Sequence, residues 1–290
     1  LNIIEQHKVP AIEKEIRLQE YAPLAFKTIS TRSGIKKAIK REEILLDGRP
    51  AKTSDWIKEG QILQLIQPQK SPKKIFKLSL KIVYEDDFLA LIEKPAGFPT
   101  NGNYFKTIEN ALPFNLEISS EKDALPYPIP VHRLDNPTSG LLLIAKTRNA
   151  QRALNTAFEE RKITKSYLAI VEGEIQQEGE FNNAIDGKES LTNFRLLKSF
   201  QKDERFFSLV ELFPKTGRTH QLRKHLSEAA FPIVGDEVYG SKIDIKGILL
   251  TAFSLQFQHP ITTEILSFST ALPKKFRRFL PKNSSPELEA

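Results

Sequence analysis

The run VHRLDNPTSGLLLIA, from Val131 to Ala145, constrains the fold of this chain more than any other stretch. Five consecutive apolar residues after Gly140 read as a buried strand, since a strand wetted on one face alternates instead. His132, Arg133 and Asp135 stand just ahead of it, where an unpaired charge is costly. A carboxylate in that position needs a cation or several hydrogen-bond donors to stay charged. Two arginines are candidates. Arg133 shares the side of Asp135 only if the local strand geometry is regular. Arg223 belongs to PKTGRTHQLRKHL, where Gly217 permits a tight turn, Thr219 is the expected helix cap and Arg223 falls one turn into the helix. These grounds do not choose between them.

Other strand-like runs are KIVYED, FLALIEK, SYLAIVEG, FSLVELFP and ILLTAFSLQF, with helical stretches at RNAQRALNTAFEERK and HQLRKHLSEA. Strands outnumber helices without a regular βαβ alternation, so the expected class is α+β with a large mixed, mainly antiparallel sheet. At 290 residues two domains are expected. Residues 1–70 form a small α/β domain with its core at about 15–67, residues 71–282 the larger domain, and residues 283–290 a disordered tail; QPQKSPKK reads as the linker.

The net charge of +7 is uneven: residues 1–75 carry 15 Lys or Arg against 9 Asp or Glu, and the remainder 28 against 27. Most of the excess sits in the first domain, which suits a polyanionic partner. There IRLQEYAPLAF has helical spacing with Ile16, Leu18, Tyr21 and Leu24 as apolar positions. STRSGIKKAIKREE offers Ser30 or Thr31 as a cap. Helical spacing gathers Arg32, Lys36 and Lys40 on one face with Lys37 and Arg41 beside them, opposite Ile35, Ala38 and Ile39. EEILLDGRPA then gives a short strand and an Asp47-Gly48 turn, and IKEGQILQLI gives another turn and a strand.

Several chemistries are disfavoured. The chain has no cysteine, which removes disulfides and thiolate chemistry. No phosphate-binding G-x-x-x-x-G-K-[ST] loop, G-x-G-x-x-G fingerprint or H-E-x-x-H pair occurs, so ATP, nicotinamide and zinc chemistry are not expected. His220 and His225 are five apart, and read as a capping or RNA-facing histidine and a surface one, with no metal site. No apolar run is long enough to span a membrane and no signal-peptide pattern is evident, so a cytoplasmic location is expected.

The segment STRSGIKKAIKREEILLDGRPAKTSDWIKEGQIL resembles the RNA-binding domain named after ribosomal protein S-four. Across residues 94–240, KPAGFPT, HRLDNPTSGLLLIAKT, RKITKSYLAIVEG, PKTGRTHQLRKHL and PIVGDEVYG occur in the order of the RluA-type RNA pseudouridine synthases, which this region also resembles. That resemblance implies an enzyme that isomerises uridines in structured RNA to pseudouridine without a cofactor. Ribosomal RNA, of the large subunit, is expected over transfer RNA, and a monomer is expected. It places the catalytic aspartate on Asp135, the active-site tyrosine on Tyr167 and the basic partner of the aspartate on Arg223. Leu222 would line the uracil pocket, Arg133 would occupy the gap left by the flipped-out nucleotide, and His132, Thr138 and His220 would lie on the substrate side. Arg32, Lys36, Lys37, Lys40 and Arg41 would contact RNA.

Two rival readings differ in kind. A non-catalytic RNA-binding or ribosome-assembly protein would use the basic domain equally well, but Asp135 beside a phosphate path would only repel its ligand. A hydrolase built on Ser139, His220 and Asp135 would lack the G-x-S-x-G elbow.

Overall fold

The apolar run after Gly140 forms the middle of a strand, Ser139–Thr147, buried at every residue from Gly140 onward. The computed structural model describes residues 2–67 and 75–281, so the expected linker beyond Gln67 and the expected disordered tail lie outside the described residues. The chain divides into two compact units, Leu1–Lys73 and Lys74–Ala290.

In the first unit the elements are β1 (Asn2–Lys8), β2 (Ile16–Arg17), α1 (Leu18–Ala25), α2 (Arg32–Lys40), β3 (Ile44–Leu46), β4 (Arg49–Pro50), β5 (Trp56–Ile57) and β6 (Ile62–Gln67). Strands β1, β6, β3 and β4 pair in that order, all antiparallel, and β2 pairs β5. Thr31 caps α2, its Oγ1 accepting the Gly34 N–H at 3.1 Å. Ile35 and Ala38 of α2 join Leu18, Ile44, Ile57 and Leu63 in one core, where each fully buried Leu or Ile contributes about 1.5–3 kcal/mol. The five basic residues at 32, 36, 37, 40 and 41 face solvent. Arg32 pairs with Glu20 and Arg41 with Glu43, leaving Lys36, Lys37 and Lys40 without an ion pair among the described residues. Leu24, expected among the apolar positions of α1, is 81% exposed. The helix is only two turns long, and its buried face is supplied by Leu18 and Ala22.

The second unit holds β7 (Lys81–Glu85), β8 (Leu89–Lys94), α3 (Ile108–Asn115), β9 (Ala124–Pro130), β10 (Ser139–Thr147), α4 (Arg148–Glu159) and β11 (Thr164–Glu172). It continues with β12 (Glu178–Phe181), β13 (Thr192–Lys202), β14 (Arg205–Pro214), α5 (Gln221–Glu228), β15 (Leu250–Gln258), β16 (Ile265–Ser269) and α6 (Lys274–Phe279). One sheet runs β12-β13-β14-β11-β15-β10-β8-β7, with β9 beside β10 and β16 beside β15. Its pairings are antiparallel except β10 with β15, which is parallel. This is the mixed, mainly antiparallel α+β architecture that the strand-rich pattern predicts.

Strand β11 shows how both faces are covered. Leu168 and Ile170 pack with Phe276 and Phe279 of α6, whereas Ala169 and Val171 pack with Leu222 and Leu226 of α5. Gly140 marks the crossing of β10 and β15: its φ is +112°, and a Cβ there would meet the Ala252 carbonyl oxygen at 2.1 Å. The last residue of the HRLDNPTSG motif is thus required by the close approach of two backbones, and the loop before it opens at the end of the sheet.

Candidate active site

Asp135 sits in the short loop between β9 and β10, held from below by a lysine that the motif reading did not single out. Lys94, at the end of β8, is almost fully buried and donates through Nζ to the carbonyls of Thr138 (2.7 Å), Pro95 (3.1 Å) and Asn136 (3.2 Å). Burial pushes the Lys94 ammonium down to about 7, against the opposing pull of the Asp135 charge. Thr100 adds a second clamp, its hydroxyl bonding both the N–H and the carbonyl of Leu134 at 3.0 and 2.9 Å. The Gly97 N–H donates to the Asn136 carbonyl at 2.9 Å. The KPAGFPT segment therefore serves to position the aspartate loop. The signal for it was a lysine at the buried end of an apolar strand.

Tyr167 enters from β11. Its environment raises its phenol above the usual tyrosine range, first through burial and then through the negative charge of Asp135. Opposite, residues 214–223 turn into α5. Gln221 fixes that turn: its Oε1 accepts from Thr216 Oγ1 (2.7 Å) and the Arg218 N–H (3.0 Å), and its Nε2 donates to the Leu191 carbonyl and to Thr192 Oγ1. The helix cap is not Thr219 as expected but His220, which makes no side-chain capping bond and has left-handed backbone, φ +55°. That backbone aims the imidazole toward the loop instead of along the helix. His220 Nε2 lies 3.9 Å from Asp135 Oδ1, and Nδ1 shares a 2.8 Å hydrogen bond with Tyr239 Oη. An N–H facing the carboxylate is the electrostatically favourable tautomer, with Tyr239 donating to Nδ1.

Arg223 lies in the first turn of α5, and its hydrogen bonds go elsewhere than expected. Nε and Nη2 make a bidentate pair with Asp236, at 2.6 and 2.7 Å, inside the protein. Burial alone would lower this guanidinium; the Asp236 bonds, with the charges of Asp236 and more distant Asp135, outweigh it and hold it above its ordinary value. The guanidinium also lies over the Tyr239 ring, 4.6 Å from its centroid. Asp236 and Tyr239, both in the PIVGDEVYG stretch, are members of the site that sequence reasoning missed.

These elements enclose a cavity of about 120 Å³ whose lining includes Asp135, Thr138, Tyr167, His220, Leu222 and Leu250. Asp135 is the only carboxylate among its lining residues. Thr138 is buried and its hydroxyl makes no hydrogen bond to the described residues. Arg133 is exposed at the rim. His132 is half-buried and lines the larger cavity beside the site, while its Nε2 accepts the Leu143 N–H at 3.0 Å and its ring packs 4.9 Å from Phe158. Burial, assisted by nearby Lys165, lowers it to about 3, so it is a neutral acceptor that ties the loop to β10. Ser139 donates to Thr251 Oγ1 at 3.1 Å, so it is no activated nucleophile for the hydrolase reading. His225 is buried, not on the surface, and bonds Ser190, Thr192 and Asn183. Among the described residues no group of three His, Cys, Asp or Glu side chains could hold a metal, and no helix is long and apolar enough to cross a membrane.

Residues 88–228 match the family model described as RNA pseudouridylate synthase. An uncharacterised RNA pseudouridine synthase of Aquifex aeolicus is 32% identical over 91% of this chain and 92% of its own length. The ribosomal large subunit pseudouridine synthase D of Xanthomonas campestris is also 32% identical, over 86% and 84%. Among solved structures, human RNA pseudouridylate synthase domain containing 1 aligns with a TM-score of 0.58 at 28% identity, covering 72% of this chain and 89% of that one.

Proposed function

Because this chain belongs to the family of RNA pseudouridine synthases, we propose that the cavity beside β11 receives one flipped-out uridine of large-subunit ribosomal RNA, and that Asp135 is the residue that acts on it. The observation that carries this assignment is that Asp135 is the sole carboxylate lining the cavity, on a loop clamped by Lys94 and Thr100. The reaction breaks the bond from the ribose to N1 of uracil, turns the base and forms the bond to C5. The C5 proton is lost and N1 gains one, so the step is balanced without oxidant, water or cofactor. A carboxylate serves as nucleophile or base. The cavity must hold the detached base and keep water away from it.

Leu222 and Leu250 supply apolar walls, Tyr167 supplies a ring for stacking, and Thr138 offers an unsatisfied hydroxyl to the polar edge of uracil. Arg223 acts on Asp135 through space, as the nearest buried cation of α5. Arg133 is placed to fill the vacated position in the RNA, offsetting part of the few kcal/mol that extrusion costs. The first unit is an RNA-binding domain of the ribosomal-protein-S-four type. Its support is the motif order together with exposed Lys36, Lys37 and Lys40 of α2, which have no ion pair among the described residues.

The test is incubation with unmodified large-subunit ribosomal RNA and transfer RNA transcripts, without added cofactor, followed by pseudouridine mapping through carbodiimide adducts and primer extension. A new stop on ribosomal RNA is expected. A stop on transfer RNA alone would overturn the substrate assignment, and none on either would overturn the reading.

A further inference from the structure

Residues 182–192 join β12 to β13 and belong to none of the family motifs, yet they hold the turn that faces Asp135. The Leu191 carbonyl accepts the Lys215 N–H at 2.9 Å and Gln221 Nε2 at 3.0 Å, and the Leu191 N–H donates to Thr216 Oγ1 at 3.0 Å. Arg218 Nε donates to the Glu189 carbonyl at 2.9 Å. Behind these contacts lies Thr192, the first residue of β13, fully buried. Gln221 and His225, one turn apart on α5, both reach its hydroxyl, at 2.9 and 3.0 Å. Gln221 and Leu222 line the cavity of Asp135, whereas Thr192 and His225 do not.

The ends of this cluster fix the direction of its hydrogen bonds. The Arg218 N–H can only donate, so Gln221 presents Oε1 to it and Nε2 to Thr192 and the Leu191 carbonyl. At the other end the Asn183 carbonyl can only accept, 3.1 Å from His225 Nε2, so that nitrogen carries the hydrogen. Burial holds the imidazole below its usual value, against the Asn183 bond and the Glu228 charge, and Nδ1 is left as an acceptor. The hydroxyl proton of Thr192 then goes to Nδ1 while its oxygen accepts from Gln221. Ser190 completes the cluster: its Oγ donates to the Asn183 carbonyl and lies 2.9 Å from His225 Nε2. A hydroxyl at 192 that both donates and accepts thus links the buried histidine to the wall of the active site. A methyl group in its place would leave His225 Nδ1 and one Gln221 N–H without this partner inside the protein, where such a loss is costly.

We propose that Thr192 is a positioning residue of the reaction: through Gln221 it locks the 214–221 turn and so sets His220 and Leu222 against Asp135 and the uracil, with His225 and Ser190 as the anchor on the far side. The proposal rests on the reading of the cavity as the uridine site. His220 and Leu222 flank Gln221 in the chain, so a Gln221 side chain released from Thr192 loosens both at once. RNA affinity is left alone, because phosphate contacts made elsewhere carry it.

The test uses the full chain and unmodified large-subunit ribosomal RNA transcript, with Thr192→Val, which keeps the shape and removes the hydroxyl, and Thr192→Ser, which keeps the hydroxyl. Amide hydrogen exchange of the 214–221 segment is measured without RNA, and single-turnover pseudouridine formation at saturating RNA, with Kd alongside. Thr192→Val should speed exchange of that segment about fivefold and lower the single-turnover rate about tenfold, with Kd within about twofold of wild type. Thr192→Ser should restore exchange and rate to within about twofold. Should Thr192→Val fail to fold, Ser190→Ala, which leaves Thr192 in place, should shift both quantities the same way by about threefold, and no shift in either would overturn the proposal. Unchanged exchange in a folded Thr192→Val would overturn the link to the turn. Faster exchange with an unchanged rate would make Thr192 a structural residue only. A wild type that binds RNA but makes no pseudouridine would count against the enzyme reading, while exchange would still decide whether Thr192 holds the turn.

Discussion

Arg223 and Asp236 are joined by two short hydrogen bonds inside the protein, so the arginine reaches Asp135 only through space. The pair fixes α5 to the turn at Glu237–Tyr239 and sets the guanidinium over Tyr239. Arg223 is thereby a preorganised positive charge whose own geometry does not depend on Asp135.

Removal of one partner from such a pair strands a buried charge. Asp236→Ala should lose about 3–5 kcal/mol of unfolding free energy in urea titrations. A loss under about 1 kcal/mol would show that the pair is solvated or dispensable.

Lys94 gives a pH signature. Its folded value is lowered to about 7 while an unfolded lysine titrates near its usual value of about 10.4, so between these the unfolded chain binds more protons. Below about pH 7 both states are protonated and the full cost of the buried charge is felt. That cost is relieved as pH rises, at up to about 1.4 kcal/mol per unit. Wild type should therefore gain stability relative to Lys94→Met between about pH 7 and 10. A pH-independent difference would contradict a depressed lysine.

Tyr239 holds His220 by its Nδ1, so Tyr239→Phe frees the imidazole beside Asp135. Loss of one hydrogen bond worth about 1 kcal/mol predicts kcat lowered about fivefold in single-turnover assays, with KM unchanged. An unchanged kcat with a raised KM would make Tyr239 a binding residue only.

For the first unit, Lys36→Gln/Lys37→Gln/Lys40→Gln should weaken RNA binding across sequences and lower the salt slope by about 2 to 3, from about 0.7 to 0.9 per contact. A slope equal to wild type would remove α2 from the RNA interface.

What was legible in the sequence follows from range. Strands β8, β10, β11, β14 and β15 are rich in apolar residues over short spans, and helices α2, α4 and α5 have regular spacing, so local pattern suffices for each. Strand β13 mixes charged and apolar residues over TNFRLLKSFQK, and α3 carries Pro113 inside it, so neither shows a clean period. In the site, Asp135 and the alternatives for its partner stood out through local motifs, whereas Tyr167 was named only through the family resemblance. The choice of Asp236 by Arg223 is set 13 residues downstream, and the hold of Lys94 on Asn136 and Thr138 spans more than 40 residues. The bond from the Leu143 N–H to His132 Nε2 likewise ties the loop to a strand residue 11 positions on, which spacing does not show. The larger cavity lined by Arg133, Lys165 and Lys215 is also assembled from three separate segments.

In the proposed reaction it is Asp135 that acts on the uridine. Asp135→Asn preserves the size of the side chain in the clamped loop, so the most direct measurement compares it with wild type for pseudouridine formation and RNA affinity on the same transcript. The prediction is loss of all detectable pseudouridine with affinity within a few-fold of wild type. Retained turnover at saturating RNA, with affinity as the only quantity changed, would show that Asp135 serves binding and not chemistry.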